Sequence, residues 1–418
     1  MEKVVEHNNL KRALERVEKN KGAAGVDGMT TDELRKSLKR NWPTVRDQLL
    51  NGTYEPKPVR RVEIPKSDGG VRELGIPTVL DRFIQQAIQQ VLTPIFDPQF
   101  SNNSYGFRPG RSARQAVYKA KEVIESGYNI VVDIDLEKFF DRVNHDMLMG
   151  EIMSKTGDIR MHKIIRKYLQ SGTLLNGVRI RSEEGTPQGG PLSPLLSNIL
   201  LDRLDKELEK RGHKFIRYAD DCNIYVKTQR AGQRVYAGIK KFIEKELKLK
   251  INELKSAVDK PAKRRFLGFT ILKSKEIKIG LAKKTIKRFK DNVRKLTNKS
   301  WGISMEQRIK ALNQYLVGWS NYFRIADTES IFERLDSWIR RRLRACHLKQ
   351  WKRCKTKLNM LIKLGISVKW ASRIAYSRKK YWRLSKTAQI HKALNKEYWE
   401  NMGLISMSRR YQEKCISI

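Results

Sequence analysis

A chain of 418 residues, 39% of them hydrophobic, is long enough for two or three domains with real apolar cores, which excludes a disordered tail. Its 87 lysines and arginines against 45 acidic residues give a net charge of +42, far more than solubility requires, so the expected partner is a large polyanion. No run reaches the roughly 18 apolar residues of a spanning helix, the opening MEKVVEHNN lacks a signal-peptide core, and Cys222, Cys346, Cys354 and Cys415 form no CxxC pair, so neither membrane, disulfide framework nor zinc site is expected and a reducing cytoplasm is.

Residues 7–20 repeat apolar positions at helical spacing and predict a helix that ends before the turn-rich NKGAAGVDGMT, while Thr31 is placed to cap the helix opening DELRKSL. RRVEIPK and VRELGIP flank Ser67-Asp68-Gly69-Gly70, whose glycines supply the positive φ of a tight reversal, and predict a β-hairpin. YNIVVDIDL (128–136) reads as a buried strand, with Asn144 the cap of a following helix. PLSPLLSNILLDRLDKELEK (191–210) predicts a long helix with proline in its first turns. HKFIRYADDCNIYVKT (213–228) has β-rich arms around Ala219-Asp220-Asp221, which places two acids at a hairpin tip. Residues 281–418 then carry 34 basic and nine acidic residues, a net +25 of the chain's +42, and seven of the eight tryptophans follow residue 300, so a boundary is expected near 280. There RIKALNQYLVGWSNYF and SIFERLDSWIRRRLRA predict an all-helical region, the second with four arginines within 340–344.

Two acidic sites stand in strand settings. Asp133 and Asp135 end an apolar strand, where period-two geometry sends both to one face. Asp220 and Asp221 crowd a turn, which is unfavourable unless a cation neutralises them, although acids also favour turns for their own sake. If strand and hairpin share one sheet, Asp135 and Asp220 are placed to bridge two Mg²⁺ ions about 4 Å apart, the arrangement of in-line phosphoryl transfer.

Tyr218-Ala219-Asp220-Asp221 resembles the YxDD signature of reverse transcriptases, and Asp135-Leu136-Glu137-Lys138-Phe139-Phe140-Asp141 resembles their first palm motif. GTPQGGPLSP (185–194) is similar to their PQG loop, and Phe266-Leu267-Gly268-Phe269 to their primer-grip hairpin. SNNSYGFRPGRSARQAV (101–117), DIDLEKFFDRVNHD and NQYLVGWSNYF resemble the proteins encoded in group II introns, including their maturase region. The resemblance implies that Asp135, Asp220 and Asp221, with the Leu136 carbonyl, hold two Mg²⁺ (Mn²⁺ as substitute), with Asp133 outside that role. It implies that Phe140 excludes ribonucleotides, that Pro187, Gln188 and Gly189 face template and incoming base, and that Lys66 and Arg72, helped by Arg60 or Arg61, grip the triphosphate. Lys255 falls where the family protonates departing pyrophosphate; Gly268 belongs to the primer grip; Arg108, Arg111, Arg340, Arg341, Arg342 and Arg344 are expected against nucleic acid.

The expected fold is α+β, a right-hand polymerase: an N-terminal extension at 1–56, fingers and palm with an antiparallel sheet at 57–280, an α-helical thumb at 281–350 and a small basic helical domain at 351–418. The chain resembles the compact bacterial class that lacks an endonuclease, so no cysteine-rich nuclease domain is expected. Intron RNA, an RNA template with DNA primer, target DNA and deoxynucleoside triphosphates are the implied partners, in the bacterial cytoplasm. A splicing-only RNA-binding maturase and the reverse transcriptase of another retroelement are the rival readings. In KWASRIAYSRKKYWRLSKTAQ, aromatics interleaved with cations suit either stacking on bases or the core of a helical domain.

Overall fold

The computed structural model of the chain describes residues 1–65, 70–175, 178–180, 184–185 and 189–415. Backbone packing divides it into two compact units, Met1–Arg264 and Arg265–Ile418. Ten strands occur among the described residues: β1 (Val59–Pro65), β2 (Val71–Ile76), β3 (Ile130–Ile134), β4 (Thr173–Leu175), β5 (Val178–Ile180), β6 (Lys214–Tyr218), β7 (Asp221–Val226), β8 (Ala257–Asp259), β9 (Phe269–Lys273) and β10 (Ile277–Leu281).

The first unit opens with the helix His7–Asn20, as its periodicity predicts. The next helix, Leu34–Asn51, begins later than expected, and Thr31 does not cap it. Glu33 stands at the boundary instead, its longer side chain reaching back to accept the Thr30 amide at 2.7 Å and the Thr30 hydroxyl at 2.9 Å. β1 and β2 form the predicted antiparallel hairpin, with Pro65 opposite Val71; the turn residues 66–69 lie outside the described residues. β4 joins β1 in parallel and β5 closes that sheet.

The second sheet of this unit has the order β6-β7-β3-β8, every neighbour antiparallel. β3 is an inner strand, and Ile130, Val131, Val132 and Ile134 are all buried, which explains its nearly continuous run of β-branched residues. The helix Gln229–Lys245 packs on β3 and the helix Ser193–Lys210 on β6. In the latter, Pro194 sits in the first turn, where a missing N–H is no loss. Leu196, Leu200, Leu204 and Leu208 form its buried stripe, each stabilising the unit by roughly 1.5–3 kcal/mol through burial. Asn144 caps the helix His145–Met153 as predicted, accepting the Met147 amide at 2.9 Å.

In the second unit the β9–β10 hairpin precedes three long helices, Lys283–Leu296, Met305–Phe323 and Glu329–Gln350, and then six shorter ones. From residue 283 on, every element among the described residues is a helix. Phe269, Phe289, Trp319 and Phe323 join hairpin to helices, with ring centroids 4.4 Å apart for Phe289–Trp319, 4.8 Å for Trp319–Phe323 and 5.1 Å for Phe269–Phe323. The hairpin therefore packs with the helices, although the rise in charge and tryptophan begins only after it. Of the four aromatics in residues 369–389, Tyr381 and Trp382 are half-buried, whereas Trp370 is 44% and Tyr376 63% exposed, and the Arg373 guanidinium lies 5.0 Å from the Trp370 ring.

Candidate active site

β3 delivers Asp135 one residue beyond its last paired position, and that residue's backbone is pinned on two sides. Its N–H donates to Ser256 Oγ at 3.0 Å and its carbonyl accepts the Asn252 N–H at 2.8 Å. Leu136 forms a bridge with Ile251 whose two bonds, Glu137 N–H to the Lys250 carbonyl and Asn252 N–H to the Asp135 carbonyl, leave the Leu136 carbonyl out of the ladder. Asp133, two residues back, is ion-paired with Arg264 at 2.6 Å, in keeping with its exclusion from the acidic pair.

The other acids come from the β6–β7 hairpin. Tyr218 pairs with Asp221, so Ala219 and Asp220 form the two-residue tip. β3 and β7 run antiparallel with Ile134 opposite Cys222, and one further step along that ladder brings Asp135 level with Asp221. Neighbouring strands lie about 4.8 Å apart, so three carboxylates gather at one end of one sheet. Asp135 and Asp220 are half-buried and Asp221 is exposed.

The tip conformation is held from beneath. Ala219 has φ +55°, a left-handed conformation that is unfavourable by roughly 1–2 kcal/mol for a residue with a Cβ. Arg217, fully buried, donates from Nη1 to the Ala219 carbonyl at 2.9 Å and to Asn198 Oδ1 at 2.9 Å, and forks onto Asp205 at 2.7 and 2.6 Å. Burial opposes its charge, but the Asp205 carboxylate outweighs burial and holds the Arg217 pKa above the ordinary arginine value. Gly106 presses against the same tip: a Cβ there would stand 2.2 Å from the Ala219 nitrogen, so only glycine fits.

Beyond Asp135 the chain turns through Lys138, at φ +47°, into the short 3₁₀ turn Phe139–Asp141. Phe139 is buried and meets the half-buried Phe140 edge to face at 5.3 Å, which fixes the direction of the second ring. Gly185, at φ +93°, lies so close that a Cβ would come within 2.8 Å of the Phe140 carbonyl. Its N–H donates to the Val143 carbonyl at 2.8 Å and its carbonyl is 2.6 Å from His145 Nε2. Burial lowers the pKa of His145, so the ring is neutral and donates from Nε2 to that carbonyl.

The remaining sequence-predicted residues fall in several places. Lys66, Pro187 and Gln188 lie outside the described residues; Arg72 is described through its backbone, opposite Ile64 in the β1–β2 ladder. Gly189 stands against the Gly75 carbonyl of β2, bringing its loop to the hairpin. Arg61 pairs with Glu63 and Glu73, and Arg60 is exposed. Lys255 is exposed on a turn, its N–H donating to the Asn252 carbonyl at 3.1 Å.

Arg108 is a correction. It is buried, bonded to Asp97 Oδ1 at 2.8 Å and to the carbonyls of Asp97, Ser101 and Ser104, so it braces its loop in place of the expected nucleic-acid contact. Arg111 is half-buried and bonded to Asn102. In the second unit, the Gly268 carbonyl accepts the Thr285 hydroxyl at 2.7 Å, and Arg341 stacks on Trp382 at 3.9 Å. Arg342 donates to Thr297 Oγ1 at 2.9 Å, and Arg344 is buried, donating to the Leu394 carbonyl at 3.4 Å. Arg344, like Arg108, is thus committed inside the protein. Sequence reasoning missed Arg217, Asn198, Ser256, Gly106 and His145; the signal that marks Arg217 is a cation among apolar residues in β6.

The site gathers hard oxygen donors at a solvent-reaching sheet end. Among the described residues no group of three or more His, Cys, Asp or Glu forms a ready metal cage. A hard divalent cation that retains water and phosphate oxygens needs only one or two carboxylates, which this arrangement supplies. No helix among the described residues is long and apolar enough to cross a membrane.

Residues 64–271 match the family model described as reverse transcriptase (RNA-dependent DNA polymerase), a family that generally uses divalent metal ions, and residues 286–362 match the group II intron, maturase-specific domain. The chain is 40% identical to protein YkfC of Escherichia coli over 198 residues, 46% of this chain and 52% of that protein. It is 32% identical to the group II intron-encoded protein LtrA of Lactococcus lactis over 327 residues, 60% of this chain and 53% of that one. It is 31% identical to the putative COX1/OXI3 intron 1 protein of Saccharomyces cerevisiae over 185 residues, 44% of this chain and 21% of that protein. The matches to YkfC and LtrA span about half the length of those proteins.

Proposed function

We propose that this chain, which belongs to the group II intron reverse transcriptase family, extends a DNA primer on an RNA template and binds intron RNA to assist splicing and mobility. The observation that carries the reading is the β3–β7 register, which brings Asp135 level with Asp221 beside the Asp220 tip. In this reading Asp135 and Asp220, with the Leu136 carbonyl and Asp221, would hold two Mg²⁺, which would supply a lowered pKa at the primer 3′ hydroxyl and charge neutralisation at the leaving pyrophosphate.

The chain's own groups do the rest. The primer 3′ oxygen bonds to the α-phosphorus of a deoxynucleoside triphosphate as the bond to pyrophosphate breaks. Phe140, aimed by its edge contact with buried Phe139, fills the volume a ribose 2′ hydroxyl would need. Lys66 and Arg72 grip the triphosphate, Gln188 and Gly189 face the base pair being formed, and Lys255 gives a proton to the departing pyrophosphate. The basic second unit grips intron RNA, template-primer and target DNA.

Primer extension on an RNA template with the four deoxynucleotides and Mg²⁺ tests this directly. Asp220→Ala or Asp135→Asn is expected to lower the rate by roughly a thousandfold or more, while affinity for intron RNA stays within about twofold. No extension by the parent chain would leave the RNA-binding maturase reading in its place, and extension undiminished by either change would remove these carboxylates as ligands.

A further inference from the structure

The buried cluster under the hairpin tip carries more than packing. Arg217 reaches three acceptors at once: Asp205, Asn198 and the Ala219 carbonyl. Asn198 in turn donates from Nδ2 to the Gly106 carbonyl at 2.8 Å, and Gly106 presses on the Ala219 nitrogen. The backbone closes the same circuit, since the Arg217 N–H donates to the Asn103 carbonyl and the Tyr105 N–H to the Arg217 carbonyl, both at 2.9 Å. Ala219 is therefore held through its carbonyl on one side and its amide on the other, in a conformation alanine rarely adopts, and Asp220 is the next residue.

Burying a guanidinium is unfavourable unless all its donors are engaged, and apolar side chains of similar volume would fill the space as well. What apolar groups cannot provide is a planar fork that holds Asp205 with one edge and the turn carbonyl with another nitrogen.

We propose that Arg217, clamped by Asp205 and Asn198, is a positioning residue that acts through the Ala219 carbonyl to aim Asp220 at the shared cation site. The inference rests on the assignment of Asp220 as a metal ligand. Residues that orient ligands from behind influence metal affinity and turnover together, without touching substrate.

The test exchanges the ion pair for apolar residues, Arg217→Met with Asp205→Leu, in the full chain. Far-ultraviolet circular dichroism and cooperative melting report folding. The folded variant is expected to lose roughly 10- to 100-fold in kcat, to need a correspondingly higher Mg²⁺ concentration for half-maximal extension, and to keep its KM for deoxynucleotides within about twofold. Adding Ala219→Gly, which adopts the left-handed turn unaided, is expected to recover at least about threefold in kcat. A folded variant with kcat and Mg²⁺ dependence within about twofold of the parent overturns the proposal.

If the double exchange does not fold, Arg217→Lys decides: it keeps the charge beside Asp205 but lacks a second nitrogen for the carbonyl. Parent-like kcat and Mg²⁺ dependence in that variant overturn the proposal, and a selective loss of both supports it. Asp220→Ala run alongside separates the two levels, because parent-like extension there removes the ligand assignment itself, whatever Arg217 does.

Discussion

The two units treat buried positive charge in opposite ways. In the first, Arg217 and Arg108 meet the carboxylates of Asp205 and Asp97. In the second, buried Arg308 donates to the carbonyls of Leu296, Asn298 and Trp301 at 2.9–3.1 Å, and Arg344 to that of Leu394. The buried acid there, Asp336, accepts the hydroxyls of Ser406 and Ser408 and the amides of Met407 and Ser408. The first unit sets carboxylates against these two guanidiniums; the second satisfies its own with peptide dipoles and keeps the charge. Burial lowers the Arg344 pKa to about 10, which still leaves it cationic at neutral pH. The second unit is therefore basic in its core as well as in its composition, whereas the first sets a carboxylate against each of these two buried guanidiniums.

The largest expected effect tests whether the second unit owes its stability to its aromatic core. Phe289 is fully buried against Trp319 and Tyr315, so Phe289→Ala is expected to destabilise that unit by about 3–5 kcal/mol. Hydrogen exchange checks it: the helix Met305–Phe323 exchanges faster while β3 amides keep their protection, and equal loss in both would merge the two units energetically.

Next comes acid sensitivity. His347 is buried between Trp351 and Trp399, and burial pushes its pKa down to about 4. The unfolded chain takes up this proton near pH 6.5 and the folded one only near 4, so the contribution is complete above 6.5 and vanishes as pH falls through 4. Denaturant titrations at pH 7 and pH 4 are expected to differ by up to about 3 kcal/mol through this group. His347→Phe removes that part of the slope, and an unchanged slope would contradict the assignment.

The smallest effect probes the first unit's site. Phe140→Ala is expected to raise ribonucleotide incorporation relative to deoxyribonucleotide by about tenfold, near 1.4 kcal/mol, read from competition assays. Unchanged sugar discrimination would make Phe140 a packing residue only.

Much of this was legible along the chain, because period-two apolar runs and turn residues report local structure. β3, the β1–β2 strands and the arms around Ala219-Asp220 follow from the sequence, and so does the Asn144 cap. What escaped was long-range pairing. Arg217 shows locally only as a cation among apolar residues of β6, which does not name its partners Asp205 and Asn198, and nothing local announces that Gly106 meets Ala219. Arg108 and Arg344 were assigned outward because charge and motif position carry no record of burial; the structure turns both inward. Thr31 makes no cap; the Glu33 carboxylate accepts the Thr30 amide and hydroxyl instead.

The two principal carboxylates differ in what secures them. Asp135 follows an inner strand bonded along both edges, and its own amide and carbonyl are engaged, so main-chain bonds guard its place. Asp220 rides a two-residue turn whose posture depends on side chains. Evolutionary tinkering, warming or crowding by a bulkier neighbour would consequently disturb the proposed cation site from the Asp220 bank first, leaving the Asp135 abutment standing.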